Sequence, residues 1–399
     1  MHRLSLHYTL SRNAGRAEVS NPLIDLLQAV NRQGSISGAA RALNLSYRHV
    51  WGELKRWESA LGHELLVWEK GQRAQLSDFA AKLLWAERLA QARLAPQIDA
   101  LRAELERCYA LAFDPQVHVL TLYASHDPAL LQLREYAAHD AARSEFDTLL
   151  PALDATTSGT SSAYSESAGG RNDPHDNLHL DLQFMGSVDA IRALNEGRCT
   201  LAGFHTLAQV GRGGPSERAY KRLLQPGLHK IIGFGQRTQG LIVARGNPMR
   251  LLSLSDVVQR QARFALRSVG SGTRVVLDEL LHSHGLHTER LCSAQVPEPS
   301  HQSVAQAVAS GVCDCGLGLA APALQAGLDF VPLVLERYHL VCLKSTLNSA
   351  PMRHLLALLQ SPAWHAQLNQ IAGYQSADCG RVLSMRQVLP WWSYRNPKP

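Results

Sequence analysis

Three short stretches place hydroxyl side chains where an apolar run gives way to a helical pattern: "ASHD" (124 to 127), "GSVD" (186 to 189) and "GSGTR" (270 to 274). In an α/β sheet the loops leaving the carboxyl ends of the strands gather on one rim, and ligands bind there. A helix start offers unpaired backbone N–H groups, and neighbouring hydroxyls complete an anion site without a full opposing charge. An oxyanion suits such a rim. Ordinary N-capping, worth about 1 kcal/mol per cap, explains any one of these serines; three together point to a cleft. Arg274 could face the anion or pair with Asp278 four residues later on one helix.

Other chemistries find less support. "GSGTR" is not followed by the Gly-Lys-Ser/Thr of a phosphate-cradling loop, and no GxGxxG run occurs. Ser125, His126 and Asp127 are consecutive, so their side chains cannot converge as a nucleophile relay. The 18 histidines lack an HExxH or HxxxH helix pattern, which leaves a metal site without a motif. Of the seven cysteines, Cys313 and Cys315 lie too close in sequence for an unstrained bridge, and inert reduced thiols are expected.

A second constellation lies upstream, in "GSISGAARALNLSYRHVWGELKRWESALG" (34 to 62). Ile36, Ala39, Ala40 and Leu43 form one apolar stripe at helical spacing; Val50, Leu54, Trp57 and Leu61 form another. Ser35 and Ser46 stand as N-caps. The economical reading is a helix-turn-helix, with a solvated helical hairpin of an all-α protein as the plain alternative. The second helix turns Ser46, Tyr47, Arg48, His49 and Gly52, then Lys55 and Arg56, away from its stripe. Such a donor-rich face fits the DNA major groove, where the helix's first residues reach base edges. Tyr47 and Arg48 are the candidates for base-edge contact, and Ser46 and Lys55 for phosphates. "LLVWEKGQRAQLS" (65 to 77) then predicts a β-wing with a Lys70, Gly71, Gln72, Arg73 tip; Arg73 is its candidate DNA contact. Trp51 and Trp57 are expected in the core rather than as DNA wedges.

The elements that must carry these residues follow from the rest of the chain. At 399 residues, two or three compact units are expected. A net charge of +6, from 40 Lys and Arg against 34 Asp and Glu, permits nucleic-acid binding and decides nothing alone. The first residues lack the apolar core of a signal peptide, and no run of about 18 apolar residues occurs, so a cytoplasmic protein with no membrane partner is expected. After the wing, a long helical run (77 to 108) opens at Ser77 and Asp78 and is interrupted at Pro96. Its Leu94, Ile98, Leu101 and Leu105 form a seam, either for a dimer partner or for the chain's own domain. From Asp114 on, short apolar runs at 118 to 125, 178 to 185, 198 to 205, 230 to 236, 239 to 245, 262 to 267, 314 to 320 and 329 to 335 alternate with helical patterns. This predicts α/β with largely parallel strands. The Ser/Thr/Gly-rich stretch at 154 to 177 predicts a disordered surface insertion.

Residues about 20 to 107 resemble the winged-helix domain of the molybdate-responsive ModE regulators and, more loosely, that of LysR-type regulators. "GSISGAARALNLSYRHVW", "LKRWESALG" and the wing carry this likeness. Residues about 114 to 345 resemble the periplasmic-binding-protein-like domain found with molybdate metabolism, through "SHDPAL", "GSVDAI", "QGLIVARGNP", "RSVGSGTRVVLDELL", "SVAQAVASGVCDCGLGL" and "LDFVPLVLERYHLV". The insertion at 154 to 177 and "VCDCG" depart from that pattern.

The resemblance implies a multidomain chain: a winged helix-turn-helix, mainly α with a β-wing, joined to an α/β two-lobed type 2 periplasmic-binding-protein-like sensor. The expected divisions are an N-terminal extension (1–19), the DNA-binding domain (20–77), a linker or dimerisation helix (78–108) and the sensor (114–345), with its second lobe near 240–335. Helices completing the first lobe, and a tail, follow at 346–399. Its implied function is transcription regulation without catalysis, on a palindromic double-stranded operator, by a homodimer or higher oligomer. The implied effector is molybdate or tungstate, with no covalent cofactor and no metal ligands of the chain's own. By matching motif positions, Ser125, Ser187, Ser271 and Thr273 would bind it, with Tyr338 from "ERYHL" as a further candidate. The rival readings are a regulator of sulfate or a small organic acid, and a molybdenum-cofactor assembly protein whose N-terminal helices dock a protein.

Overall fold

The computed structural model describes residues 22–67, 73–113, 117–138 and 178–392. The expected N-terminal extension, most of the wing tip, the insertion at 154–177 and the last residues of the tail lie outside them.

The head is a three-helix unit with a two-stranded wing. α1 (Pro22–Gln33), α2 (Ile36–Ala42) and α3 (Tyr47–Leu61) enclose Leu27, Val30, Ile36, Ala39, Val50 and Leu54, which are almost fully buried. Both caps stand where the sequence puts them: Gly38 N donates to Ser35 Oγ at 3.0 Å and His49 N to Ser46 Oγ at 3.1 Å. α3 stops at Gly62, whose φ of +70° suits a residue without a Cβ. β1 (Leu66–Val67) and β2 (Gln75–Leu76) pair antiparallel as the wing.

α4 (Asp78–Phe113) is one continuous helix of 36 residues, so the interruption expected at Pro96 does not occur. Proline removes one backbone donor and strains one turn, and both effects are absorbed by packing against the sensor. α4 begins in the head core through Ala80 and Leu84 and continues into the sensor core through Leu89. Leu94, Leu101 and Leu105 stay exposed on its outer face.

In the sensor, lobe 1 holds β3 (His118–Ala124), β4 (Leu178–Phe184) and β5 (Leu201–Leu207), with α5 (residues 128 to 138), α6 (Ser187–Asn195) and α7 (Pro215–Tyr220). Lobe 2 holds β7 (Arg263–Ala265), β8 (Cys292–Ser293) and β9 (Cys315–Leu319), with α8 (Leu254–Gln259), α9 (Gly272–Ser283), α10 (His301–Ala309) and α11 (Ala320–Gln325). β6 (His229–Val243) and β10 (Asp329–Leu343), of 15 residues each, pair antiparallel and pass through both lobes. These strands form one sheet in the order β4-β3-β5-β10-β6-β9-β7-β8.

Two expectations are corrected here. The apolar runs at 230 to 236 and 239 to 245 are one strand, because Arg237 between them is buried and paired rather than placed in a turn. The sheet is also mixed: β3 and β7 pair in parallel with their neighbours, whereas β10 and β6 run antiparallel to β5 and β9. The crossing strands cause this, since β10 runs against the parallel set of lobe 1 at β5 and β6 against that of lobe 2 at β9. α12 (Ala350–Gln360) and α13 (Pro362–Asn369) then return to the core of lobe 1 through Met352, Leu355 and Trp364. Trp391, whose indole N–H donates to the Gly211 carbonyl at 3.0 Å, closes a neighbouring core of the same lobe.

Candidate functional site: an exposed helix face and a closed cleft

On the head, α3 presents Ser46, Tyr47, Arg48, Lys55 and Arg56 to solvent. Tyr47 stacks on Trp51 at 6.5 Å between ring centroids, and Lys55 lies 4.9 Å over the Trp51 ring while pairing with Glu58 at 2.7 Å. Ser46 already uses its hydroxyl oxygen as a cap. The stem of Arg73 packs against Gly34, which keeps its exposed head at the base of the wing. Trp51 and Trp57 pack partly buried on the head core, as expected. If Arg48 reads a guanine edge, Arg48→Ala should weaken specific DNA binding by about 1–3 kcal/mol and relax preference at one base position, measured by gel shift over single-base operator variants. A uniform loss over all sequences would instead make it a phosphate contact.

The three serine loops meet between the lobes. Ser125 Oγ, at the end of β3, lies 3.4 Å from Ser187 Oγ at the start of α6, and Gly272 N of lobe 2 points at Ser125 Oγ from 3.5 Å. Across the same seam, Val188 N donates to the Gly270 carbonyl at 3.2 Å. Ser125, Ser187, Ser271 and Thr273 are all buried. Two lobes joined through their loop backbones form a closed cleft. Ser271 caps α9 by accepting from Arg274 N at 3.3 Å, so its part is to set the loop, while Thr273 Oγ1 lies 3.3 Å from His301 Nε2. Arg274 turns away and pairs with Asp278 at 3.1 Å, the second of its two readings.

Beneath the loops, Arg237 of β6 is ion-paired with its cross-strand neighbour Glu336 and with Asp127, two residues after Ser125 in lobe 1. Burial opposes its charge, but Glu336, Tyr374 and Asp127 outweigh burial and hold its pKa well above the usual range. His205 stands over this group, 3.2 Å from Arg237 through Nδ1 and 4.0 Å from the Tyr338 ring. Burial, then the Arg237 charge, keeps the His205 imidazole neutral; burial and Arg267 do the same for His301. Tyr338 is 1% exposed, with its hydroxyl against Gly203.

Sequence reasoning missed Arg267. It is 3% exposed, just past β7, and its Nη2 donates to the Pro299 carbonyl at 2.9 Å. Its Nε and Nη1 take no hydrogen bond among the described residues; nor do Nδ1 of His301, Nε2 of His205 and the hydroxyl of Tyr338. Burial and the nearby Arg237 draw the Arg267 pKa down to about 9, which leaves it charged at neutral pH. The available signal was an arginine at a strand end, three residues before the Gly-Ser-Gly turn. Buried donors left without acceptors are costly.

The cysteines of "VCDCG" are buried, and burial raises the Cys313 thiol to about 11, so it stays protonated. Asp314 between them accepts the Arg263 guanidinium at 2.6 Å, a contact within lobe 2 away from the cleft. Among the described residues no helix is long and apolar enough to cross a membrane.

Comparison with known proteins finds two matching stretches. Residues 23–81 match the bacterial regulatory helix-turn-helix protein, lysR family, and residues 171–360 match the PBP superfamily domain. An uncharacterized protein of Bacillus subtilis, YvgK, is 29% identical over 201 residues, half of this chain, which spans 64% of that protein's length. An uncharacterized Clostridium pasteurianum protein, from the 5' region of a ferredoxin gene, is 29% identical over 111 residues, 28% of this chain and 98% of that protein. Among solved structures, CbnR, a LysR family transcriptional regulator, aligns with a TM-score of 0.34 at 16% identity, covering 83% of this chain and 96% of CbnR. Full-length LysG of Corynebacterium glutamicum aligns at 0.34 and 17%, covering 83% and 96%. The chain joins a regulatory helix-turn-helix domain of the LysR family to a domain of the PBP superfamily.

Proposed function

We propose that this chain is a DNA-binding transcription regulator that senses a tetrahedral oxyanion, molybdate or tungstate foremost, in the closed cleft. The observation that carries the reading is Arg267: a buried cation whose Nε and Nη1 have no partner among the described residues, where the neutral His205 and His301 also keep a nitrogen without a partner. A dianion accepts from donors of this kind, and in a water-poor site each such bond to a charged partner contributes about 1.5–3 kcal/mol. Lobe closure around the anion would re-space two heads on a palindromic operator.

Calorimetry of the full chain with sodium molybdate, tungstate and sulfate tests the ligand. Submicromolar binding of the first two, with sulfate weaker, supports the reading; heat from sulfate or a small carboxylate alone favours the rival effector. Gel shift with the chain's own upstream DNA tests the output. No specific retardation with or without oxyanion would favour a role in protein docking.

The homodimer is part of the same proposal. Leu94, Leu101 and Leu105, seven and four residues apart along the outer face of α4, are 37%, 57% and 37% exposed. Such a seam buries efficiently against its own copy. Leu101→Glu should halve the mass seen by light scattering at micromolar concentration without lowering the melting temperature of the single chain.

A further inference from the structure

We propose that α4 is a strap held by both lobes of the sensor, with Arg93 gripping lobe 2 and Asp99 gripping lobe 1 on either side of Pro96, so that cleft closure sets the position of the DNA-reading head. This rests on the reading of the cleft as the effector site.

The grip on lobe 2 begins with the proline. Pro96 has no N–H to give the Ala92 carbonyl four residues back, and the Ser300 hydroxyl donates to that carbonyl instead, at 3.2 Å. Ser300 is fully buried and caps α10, so the donor is held by the lobe rather than by solvent. One residue after Ala92, the Arg93 guanidinium forks onto Glu298, with Nε to Oε2 at 3.1 Å and Nη2 to Oε1 at 2.6 Å. Glu298 is fully buried and runs beside the candidate ligand arginine: its N donates to the Leu266 carbonyl at 2.7 Å, and its backbone bridges Arg267. What holds Arg93 is thus one backbone step from what would hold an anion.

The grip on lobe 1 lies one turn beyond the proline. Asp99 Oδ2 and His126 Nε2 are 3.0 Å apart; His126 is 5% exposed, its ring edge-on to Phe184 of β4 at 4.7 Å. His126 follows Ser125, whose hydroxyl meets Ser187 in the cleft. Further along, Arg107 Nε lies 3.5 Å from Asp181 of β4. Arg93 and Asp99 are six residues apart, so a straight helix fixes their partners at a separation of roughly 9 Å along its axis. Glu298 and His126 belong to different lobes. A helix cannot keep both if the lobes part. Because the same helix enters the head core through Ala80 and Leu84, its displacement carries the head with it.

The test uses the full chain and the pair Arg93→Met with Asp99→Asn, which lie outside the cleft. In the wild type, sodium molybdate should slow amide hydrogen exchange over residues 88 to 107 and shift affinity for the chain's upstream DNA. The paired variant should still bind molybdate, with an affinity lowered several-fold at most because the grips favour the closed cleft, yet the shift in DNA affinity, on the order of 5- to 150-fold for such couplings, should fall below about 2-fold. A variant that binds molybdate and keeps the whole shift overturns the strap. Should the wild type bind no oxyanion, it is the ligand reading that falls, and the strap is judged without ligand. Faster exchange over 88 to 107 in the variant than in the wild type supports it, and unchanged exchange overturns it. Ser300→Ala, which removes one hydroxyl, serves the same comparison if the paired variant does not fold.

Discussion

Arg267→Met should weaken molybdate binding by roughly 100-fold or more while the chain remains folded, measured by calorimetry alongside thermal melting. Two charge-assisted hydrogen bonds at about 1.5–3 kcal/mol each set that scale. The sign for stability runs the other way. Arg267 is a buried cation whose Nε and Nη1 have no acceptor among the described residues, and replacing such a group by an apolar one of similar length is often neutral or stabilising. Lower affinity with an unchanged or higher melting temperature is therefore the signature expected of a ligand-holding arginine. Arg267→Lys should recover only part of the loss, because an ammonium keeps the charge but not the planar fork. Wild-type affinity in Arg267→Met would remove the argument that the cleft takes an anion.

The head was nearly all legible in the sequence, because its signals are local. Ser35 and Ser46 announce helix starts, and Ile36, Ala39, Val50 and Leu54 repeat at 3.6-residue spacing on elements that bury one face. The loops at Ser125, Ser187 and Ser271 were legible for the same reason, since a strand end followed by small polar residues at a helix start is a pattern of a few residues, although only Ser271 serves as a side-chain cap. What was not legible depends on pairs distant in the chain. Arg237 interrupts an apolar run and so divides β6 on paper, yet it sits in mid-strand because Glu336, 99 residues away, and Asp127, 110 away, neutralise it. Pro96 reads as a break, and the hydroxyl that makes it tolerable comes from 208 residues away in Ser300. Arg267 looked like the polar end of a strand; only the burial of its surroundings gives it meaning.

Gly272→Ala should cost about 1–3 kcal/mol of ligand affinity, roughly 5- to 150-fold in Kd, by holding the cleft open. Gly272 is the first residue of α9, with ordinary helical backbone, so alanine suits the helix itself better than glycine does, by up to about 1 kcal/mol. The obstacle lies across the seam, where an added Cβ would run into the His205 ring and come within 2.9 Å of Ser187 Oγ, both on lobe 1. His205 has little freedom to yield, fixed between the Tyr338 ring at 4.0 Å and the Arg237 guanidinium at 3.2 Å. Lobe 2 should thus keep or gain stability while closure is blocked, and small-angle scattering with saturating molybdate should give a larger radius of gyration than the wild type. Gly186→Ala makes the converse test from the other lip, since its Cβ would stand 2.7 Å from the Gly270 carbonyl oxygen of lobe 2. If the contact of the two loops is the state that holds the ligand, both alanines must produce the same open, weakly binding chain, although they sit on different lobes and disturb different helices. Unchanged affinity and an unchanged scattering profile in either one would mean that the ligand is held without this seam.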